Sequence, residues 1–206
     1  MNGTDMKFNN IRVTVMIPPL QMGYNGCQQH RTHNFTFTGG DDCVAIKPRS
    51  YNVHISNITC TGGNGIAIGS LGQYLKDSSV ENVTINNAKP YRAYIKTWMG
   101  HLVPQPNYES GGLPRGGGWG VVRNITFSNF DVTRTQRGML ITQSNGNNGS
   151  FKGTSKMEIS DITFADYTGV SGMDFVSNDG DQAKGVCTGT TDKTVVGLRG
   201  VDFTPQ

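Results

Sequence analysis

One phrase returns along this chain: an Asn or Asp followed by an apolar–polar–apolar alternation. It reads Phe8-Asn9-Asn10-Ile11-Arg12-Val13, then His33-Asn34-Phe35-Thr36-Phe37, then Tyr51-Asn52-Val53-His54-Ile55. It returns as Glu81-Asn82-Val83-Thr84-Ile85, Arg123-Asn124-Ile125-Thr126-Phe127 and Ser160-Asp161-Ile162-Thr163-Phe164, with a weaker echo at Leu198-Arg199-Gly200-Val201-Asp202-Phe203. Alternation with period two is the pattern of a short strand with one buried face. Counted from its Asn or Asp, the phrase recurs after 24, 18, 30, 42 and 37 residues. Between them lie second apolar strands: Val44-Ala45-Ile46, Ile66-Ala67-Ile68, Ala93-Tyr94-Ile95 and Met139-Leu140-Ile141. A unit repeating at such intervals describes a solenoid, in which each coil buries its apolar row against the next. No window carries a helical stripe, so turns connect the strands. The expectation is all-β: a parallel β-helix wound as a single domain over residues 1–206. A β-sandwich is the alternative, but hairpin signals are few (Asn25-Gly26, Asn145-Gly146). Residues 101–120, rich in Gly and Pro and without alternation, are expected to be a loop insertion projecting from one face.

Composition narrows the function. The 206 residues suffice for one domain with a sizeable core. Hydrophobic residues make up 35% and charged ones 16%, which excludes a disordered charged tail, and 28 glycines favour turns. A net charge of +3 is too weak to suggest nucleic acid as a partner. No apolar run is long enough for a transmembrane helix, so no membrane partner is expected. A monomer is expected. No signal peptide is visible, since Met1-Asn2-Gly3-Thr4-Asp5 is polar from the start. Six Asn-X-Ser/Thr acceptors, at Asn2, Asn34, Asn57, Asn82, Asn124 and Asn148, nevertheless point to a secreted, extracellular glycoprotein. Of the four cysteines, Cys43 and Cys60 fall on successive coils and are expected to be bridged, which fits an oxidising compartment. Cys27 and Cys187 have no assigned partner.

The chemistry concentrates at Gly39-Gly40-Asp41-Asp42-Cys43, with Gly63-Asn64-Gly65 about one coil later and Tyr94-Ile95-Lys96 on the next. Adjacent residues of a flat strand point to opposite faces. Asp41 and Asp42 therefore share a groove only if the backbone bends, and Gly39-Gly40 is expected to supply that freedom. One coil on, Asn64 should lie about 4.8 Å away along the axis. Two carboxyls in one groove raise one pKa and can serve as acid and base in cleaving a glycosidic bond.

The run from Asn34 to Gly72 resembles the central signature of family 28 of the glycoside hydrolases, the polygalacturonases. Ala93–Trp98 and Leu113-Pro114-Arg115-Gly116-Gly117-Gly118-Trp119 resemble the fungal exo-acting members. The match is best over residues 34–170. It implies a single-stranded right-handed parallel β-helix of the pectin-lyase type. It also implies hydrolysis of α-1,4 bonds of polygalacturonate, or pectin oligosaccharides, from chain ends with inversion, needing no metal or organic cofactor. By position, Asp41 would be the general acid and Asp42 would activate water. Asn64, Tyr94 and Lys96 would bind substrate, with Lys96 on a galacturonate carboxylate. Asn64 stands where endo-acting members have His, and Tyr94 where many members have Arg. Arg49, Arg92 and Arg115 are weaker candidates for contacting the polyanion.

The pattern departs from the family in blocks. Family members carry an Asn-Thr-Asp-Gly motif about twenty residues before the Asp pair, whereas Pro18–Gly26 contains no Asp. Leu20–His33 reads as having lost its strand alternation, and the family's first coils are not matched. The chain thus reads as a shortened or mis-spliced member whose β-helix is incomplete at the N-terminus. Rival readings are a rhamnogalacturonan hydrolase of the same fold and a catalytically impaired carbohydrate-binding solenoid.

Overall fold

The computed structural model describes residues 3–14, 22–24, 27–105, 113–132, 138–146, 150–151, 153–168, 183–188 and 201–205. In chain order the strands are β1 (Gly3–Thr4), β2 (Lys7–Thr14), β3 (Met22–Tyr24), β4 (Cys27–Thr38), β5 (Asp42–Ile46) and β6 (Ser50–Thr61). Then come β7 (Gly65–Leu71), β8 (Val80–Lys89), β9 (Ala93–Trp98), β10 (Val103–Pro104) and β11 (Pro114–Arg115). The last are β12 (Trp119–Asp131), β13 (Met139–Asn145), β14 (Lys156–Thr168), β15 (Ala183–Thr188) and β16 (Val201–Pro205). The described residues contain no helix long and apolar enough to cross a membrane.

The long strands stack as one parallel sheet in the order β1-β4-β6-β8-β12-β14-β15-β16, with β2 also on β4. The short second strands stack as another, β13-β9-β7-β5-β3. The chain alternates between the two sheets once per coil, giving a right-handed parallel β-helix. Every long-strand pair is parallel, which rules out the sandwich. All four apolar second strands fall in the second sheet, with Val44 facing Ile66, Ile66 facing Ala93 and Ala93 facing Met139.

Within a long strand the backbone turns two corners, each at a residue with positive φ. On β6 these are Asn52 (φ 57°) and Asn57 (φ 56°); on β8, Asn82 and Asn87; on β12, Asn124 and Asn129; on β14, Asp161 and Asp166. Asn and Asp tolerate this left-handed geometry better than other residues with a side chain. The amides then stack from coil to coil. Asn34 donates to Asn10 (2.8 Å), Asn57 to Asn34 (3.1 Å) and Asn87 to Asn57 (3.2 Å); Asn82 donates to Asn52 (3.0 Å) and Asn124 to Asn82 (2.9 Å). These are two separate ladders, and they correct the repeat read from sequence. The phrase at Tyr51 belongs to one corner and that at His33 to the other, because Phe35 faces Ile58 while Val53 faces Val83. The interval of 18 residues is therefore a change of corner rather than a short coil. Four sequon asparagines, Asn34, Asn57, Asn82 and Asn124, are ladder members, so the fold by itself accounts for Asn at these positions. Asn2 and Asn148 lie outside the described residues.

Inside the coils, like stacks on like. Phe127 lies on Phe164 with ring centroids 5.1 Å apart and planes 6° from parallel, and Phe130 lies on Tyr167 at 4.9 Å. Ile55 and Ile85 continue the Phe127 column, and Val53, Val83, Ile125 and Ile162 form a parallel one, all buried. Burying each such side chain contributes about 1.5–3 kcal/mol.

Two further expectations are revised. Leu20–His33 is not without strand: β4 begins at Cys27, and Gln28 already faces Tyr51. The 101–120 insertion carries a small antiparallel pair, β10 with β11, and ends early, since Trp119 opens β12. Gly116, Gly117 and Gly118 donate their amides to Gln73, Met99 and Gly72 and tie the loop's return to the preceding coil. Residues 106–112 lie outside the description.

Replacing Asn57 with Ala removes a donor and an acceptor from the ladder and leaves Ala in a left-handed corner. Urea unfolding is expected to show a loss of about 2 kcal/mol, and Asn57→Gly, which escapes the backbone strain, a smaller one.

Candidate functional site

The candidate site lies where the second sheet begins. On its inner side, Val44, Ile66 and Ala93 form one row and Ile46, Ile68 and Ile95 another, all in the core. The row between them, Ala45, Ala67 and Tyr94, faces outward by alternation. Ahead of these rows the register breaks: Asp42 faces Gly65 and Val44 faces Ile66, so Cys43 is an extra residue on β5. This β-bulge interrupts strict alternation at the Asp pair. Cys43 is pinned by a disulfide to Cys60 on β6, as expected, with Cα atoms 5.9 Å apart.

The backbone bends at residues 39–41, as expected, so Asp41 precedes the strand, and the bulge sets how Asp42 faces relative to Val44. Gly39 is needed for space: a Cβ there would sit 2.5 Å from the Phe37 ring. The glycine that lets the coils close on the site is Gly63, at φ +71°, where a Cβ would lie 2.1 Å from the Asp41 carbonyl oxygen. Only a residue without a side chain lets this turn pass the Asp pair.

Asp41 is half-buried, and its Oδ1 accepts from the Asp42 amide (2.7 Å) and from Asn64 Nδ2 (3.2 Å). The Asn64 amide also donates to the Asp41 carbonyl at 3.2 Å, so adjacent coils are locked together here. Among the described residues none donates to Asp41 Oδ2. Asp42 is 4% exposed, and its Oδ1 accepts the phenol hydrogen of Tyr94. Burial pushes the Asp42 carboxyl up; the Tyr94 hydrogen bond and the Lys96 charge pull it back, and Asp41 adds to the rise. Burial, the Asp42 charge and the bond to Asp42 push the Tyr94 phenol far up, so it keeps its proton.

Three cations surround the pair. Lys96 Nζ lies 5.2 Å from the Tyr94 ring centroid and Arg92 Cζ 5.0 Å from it. Arg92 Nε donates to the Asn64 carbonyl at 3.1 Å. Lys47, one residue past β5, donates to the Gly69 carbonyl at 2.6 Å; burial pulls its ammonium down, opposed by the Asp42 charge.

Asp41, Asp42, Asn64, Tyr94 and Lys96 are thus brought together. Tyr94 differs from expectation: it is 4% exposed and its hydroxyl is committed to Asp42 rather than open to a ligand. Arg92 joins the cluster, whereas Arg49 is exposed beside Ser79 and Arg115 lies against Tyr74. Lys47 was missed, although counting outward-facing positions along β5 from Ala45 leads to it. The segment Pro18–Gln21, where the family's further Asp would fall, lies outside the described residues.

The chemical capacity is clear: one carboxyl with an oxygen that takes no bond among the described residues, a second held by a phenol, and cations suited to an acidic ligand. Comparison with known proteins gives the family. Residues 21–198 match the sequence profile of glycosyl hydrolases family 28, and the chain belongs to that family. It is 52% identical, over a 194-residue alignment, to the putative galacturan 1,4-alpha-galacturonidase C of Neosartorya fischeri, covering 82% of this chain and 46% of that protein. Identity to the Aspergillus niger protein of the same name is 50% over 188 residues, covering 82% and 44%. The chain therefore spans about half the length of the curated relatives it matches. Among solved structures, the endo-xylogalacturonan hydrolase of Aspergillus tubingensis superposes on 100% of this chain and 60% of its own, with TM-score 0.61 and 22% identity. That likeness concerns the fold.

Gly63→Ala is expected to lower stability by about 2 kcal/mol or more, because the new methyl meets the Asp41 carbonyl in a left-handed turn. Thermal melting with and without the substitution measures it.

Proposed function

We propose that this chain carries the hydrolytic centre of a polygalacturonate hydrolase that releases galacturonate from chain ends with inversion. The observation that carries the proposal is the adjacency of Asp41 and Asp42, bonded to Asn64 and Tyr94, with the charges of Lys47 and Lys96 acting on Asp42 and Arg92 against Tyr94. The names of the two relatives at 52% and 50% identity support the α-1,4-galacturonide as substrate.

In this reading Asp41 is the acid. Its Oδ1 is occupied by two N–H donors, so the proton rides on Oδ2 and passes to the glycosidic oxygen as the C1–O bond breaks. Asp42 is the base: it takes a proton from the water whose oxygen bonds to C1 on the opposite face. Burial raises the Asp42 carboxyl, and a higher pKa makes its carboxylate the stronger base, provided something keeps it ionised. Solvent then returns a proton to Asp41 and removes one from Asp42. Lys96 and Arg92 hold sugar carboxylates by charge-assisted contacts. Secretion belongs to the same proposal, supported by the Cys43–Cys60 bridge, and glycan attachment is proposed at Asn2 and Asn148, the two sequons that are not ladder members.

A second reading, a carbohydrate-binding solenoid without turnover, is favoured by one observation: no Asp stands in Pro18–Gly26 to share the work of Asp42. Reducing-sugar release from polygalacturonate separates the two. Asp41→Asn and Asp42→Asn are each expected to lower kcat by about a hundredfold or more, and the first product is expected as the β-anomer by proton NMR. Equal rates in wild type and both variants would end the hydrolytic reading.

A further inference from the structure

We propose that Tyr94 is a positioning residue for Asp42: its phenol holds the Asp42 carboxylate oriented and ionised for water activation, and does not itself contact the sugar. This rests on Asp42 being the base, as argued above.

The geometry is specific. Tyr94 is on β9 and Asp42 on β5, with β7 between them, so the side chain must cross a whole coil to reach its partner. That crossing is possible because β7 presents only Gly65 opposite Asp42 and Ala67 opposite Tyr94. A larger outward residue at either place would block it. The ring is held from two directions by Arg92 and Lys96, at 5.0 and 5.2 Å from its centroid. At 4% exposure it offers little surface to a ligand.

The charged and titratable groups acting on Asp42 are Asp41 beside it, Lys47 beyond the end of its own strand, and Tyr94 and Lys96 from β9. Asn64 and the glycine and apolar residues of β7 contribute no charge, and the side chains of Met22–Tyr24 on β3 lie outside the described residues. Among these groups Tyr94 is the one donating a hydrogen bond to an Asp42 side-chain oxygen. A donor favours the carboxylate over the acid and so opposes the rise caused by burial. Without it, burial would push the carboxyl further up and narrow the pH range in which Asp42 serves as a base.

The test is Tyr94→Phe, which removes one hydroxyl and keeps the ring. Asp42 is titrated directly through its 13C-labelled carboxyl, assigned by the loss of its signal in Asp42→Asn, alongside kcat/KM on polygalacturonate against pH. The expected result is an Asp42 midpoint higher by about one pH unit, with the acid limb of the rate profile moved up equally and KM little changed. 3,5-Difluorotyrosine at position 94, a stronger donor of nearly the same shape, is expected to move the midpoint the other way. An unmoved midpoint in both variants, with any loss confined to KM, would overturn the proposal and make Tyr94 a substrate contact. The two readings fail separately. Undiminished turnover by Asp42→Asn rejects Asp42 as base whatever the titration shows, while an inactive Asp42→Asn with an unmoved Tyr94→Phe titration rejects only the role of Tyr94.

Discussion

A coil of this protein buries its apolar row only when the next coil lies on it in register, and everything else follows from that pairing. The backbone bonds run between coils, not within them, so an isolated coil has neither a sheet nor a core. Register is kept by stacking identical shapes, Phe127 on Phe164 inside and Asn82 on Asn52 outside. The same alignment fixes the site, because residues at the start of successive short strands must become neighbours. Asp41 and Asn64 are far apart in sequence, yet they share two hydrogen bonds.

The site is made by local departures from this regularity. The chain bends at residues 39–41, so Asp41 escapes strict alternation, and Cys43 adds a residue to β5 just after Asp42. Gly63, Gly65 and Ala67 thin the wall on the following coil, so one side chain can reach across it. A half-buried carboxyl beside a second carboxyl and two lysines is a poor arrangement for stability, since removing such charges from water costs more than their pairing returns. Its persistence in so regular a fold marks it as a place arranged for chemistry.

Much of the architecture was legible because burial writes a period-two pattern directly into the chain. The four short strands and most of the long ones were located this way. The coil length was misjudged because both corners of each coil demand Asn or Asp followed by an apolar residue, and local sequence does not distinguish them. Gly39 illustrates a different limit: a glycine required for space and one required for backbone freedom look alike until the neighbouring Phe37 ring is placed. In the site, the assembly of Asp41, Asp42, Asn64, Tyr94 and Lys96 was foreseen from coil spacing and family resemblance. The orientation of Tyr94 was not, because it depends on small residues one coil away. Lys47 was within reach of simple alternation but falls just past the strand's end.

The central claim is that stacking gathers these residues into one groove for an acidic sugar. Titrating the 15N-labelled chain with trigalacturonate, and following every assigned amide, tests it most directly. The expected result is saturable shifts centred on Asp41, Asn64, Arg92 and Lys96 at the start of β5, β7 and β9, with the asparagine ladders silent. Shifts confined to the ladder face, or none at millimolar ligand, would contradict it.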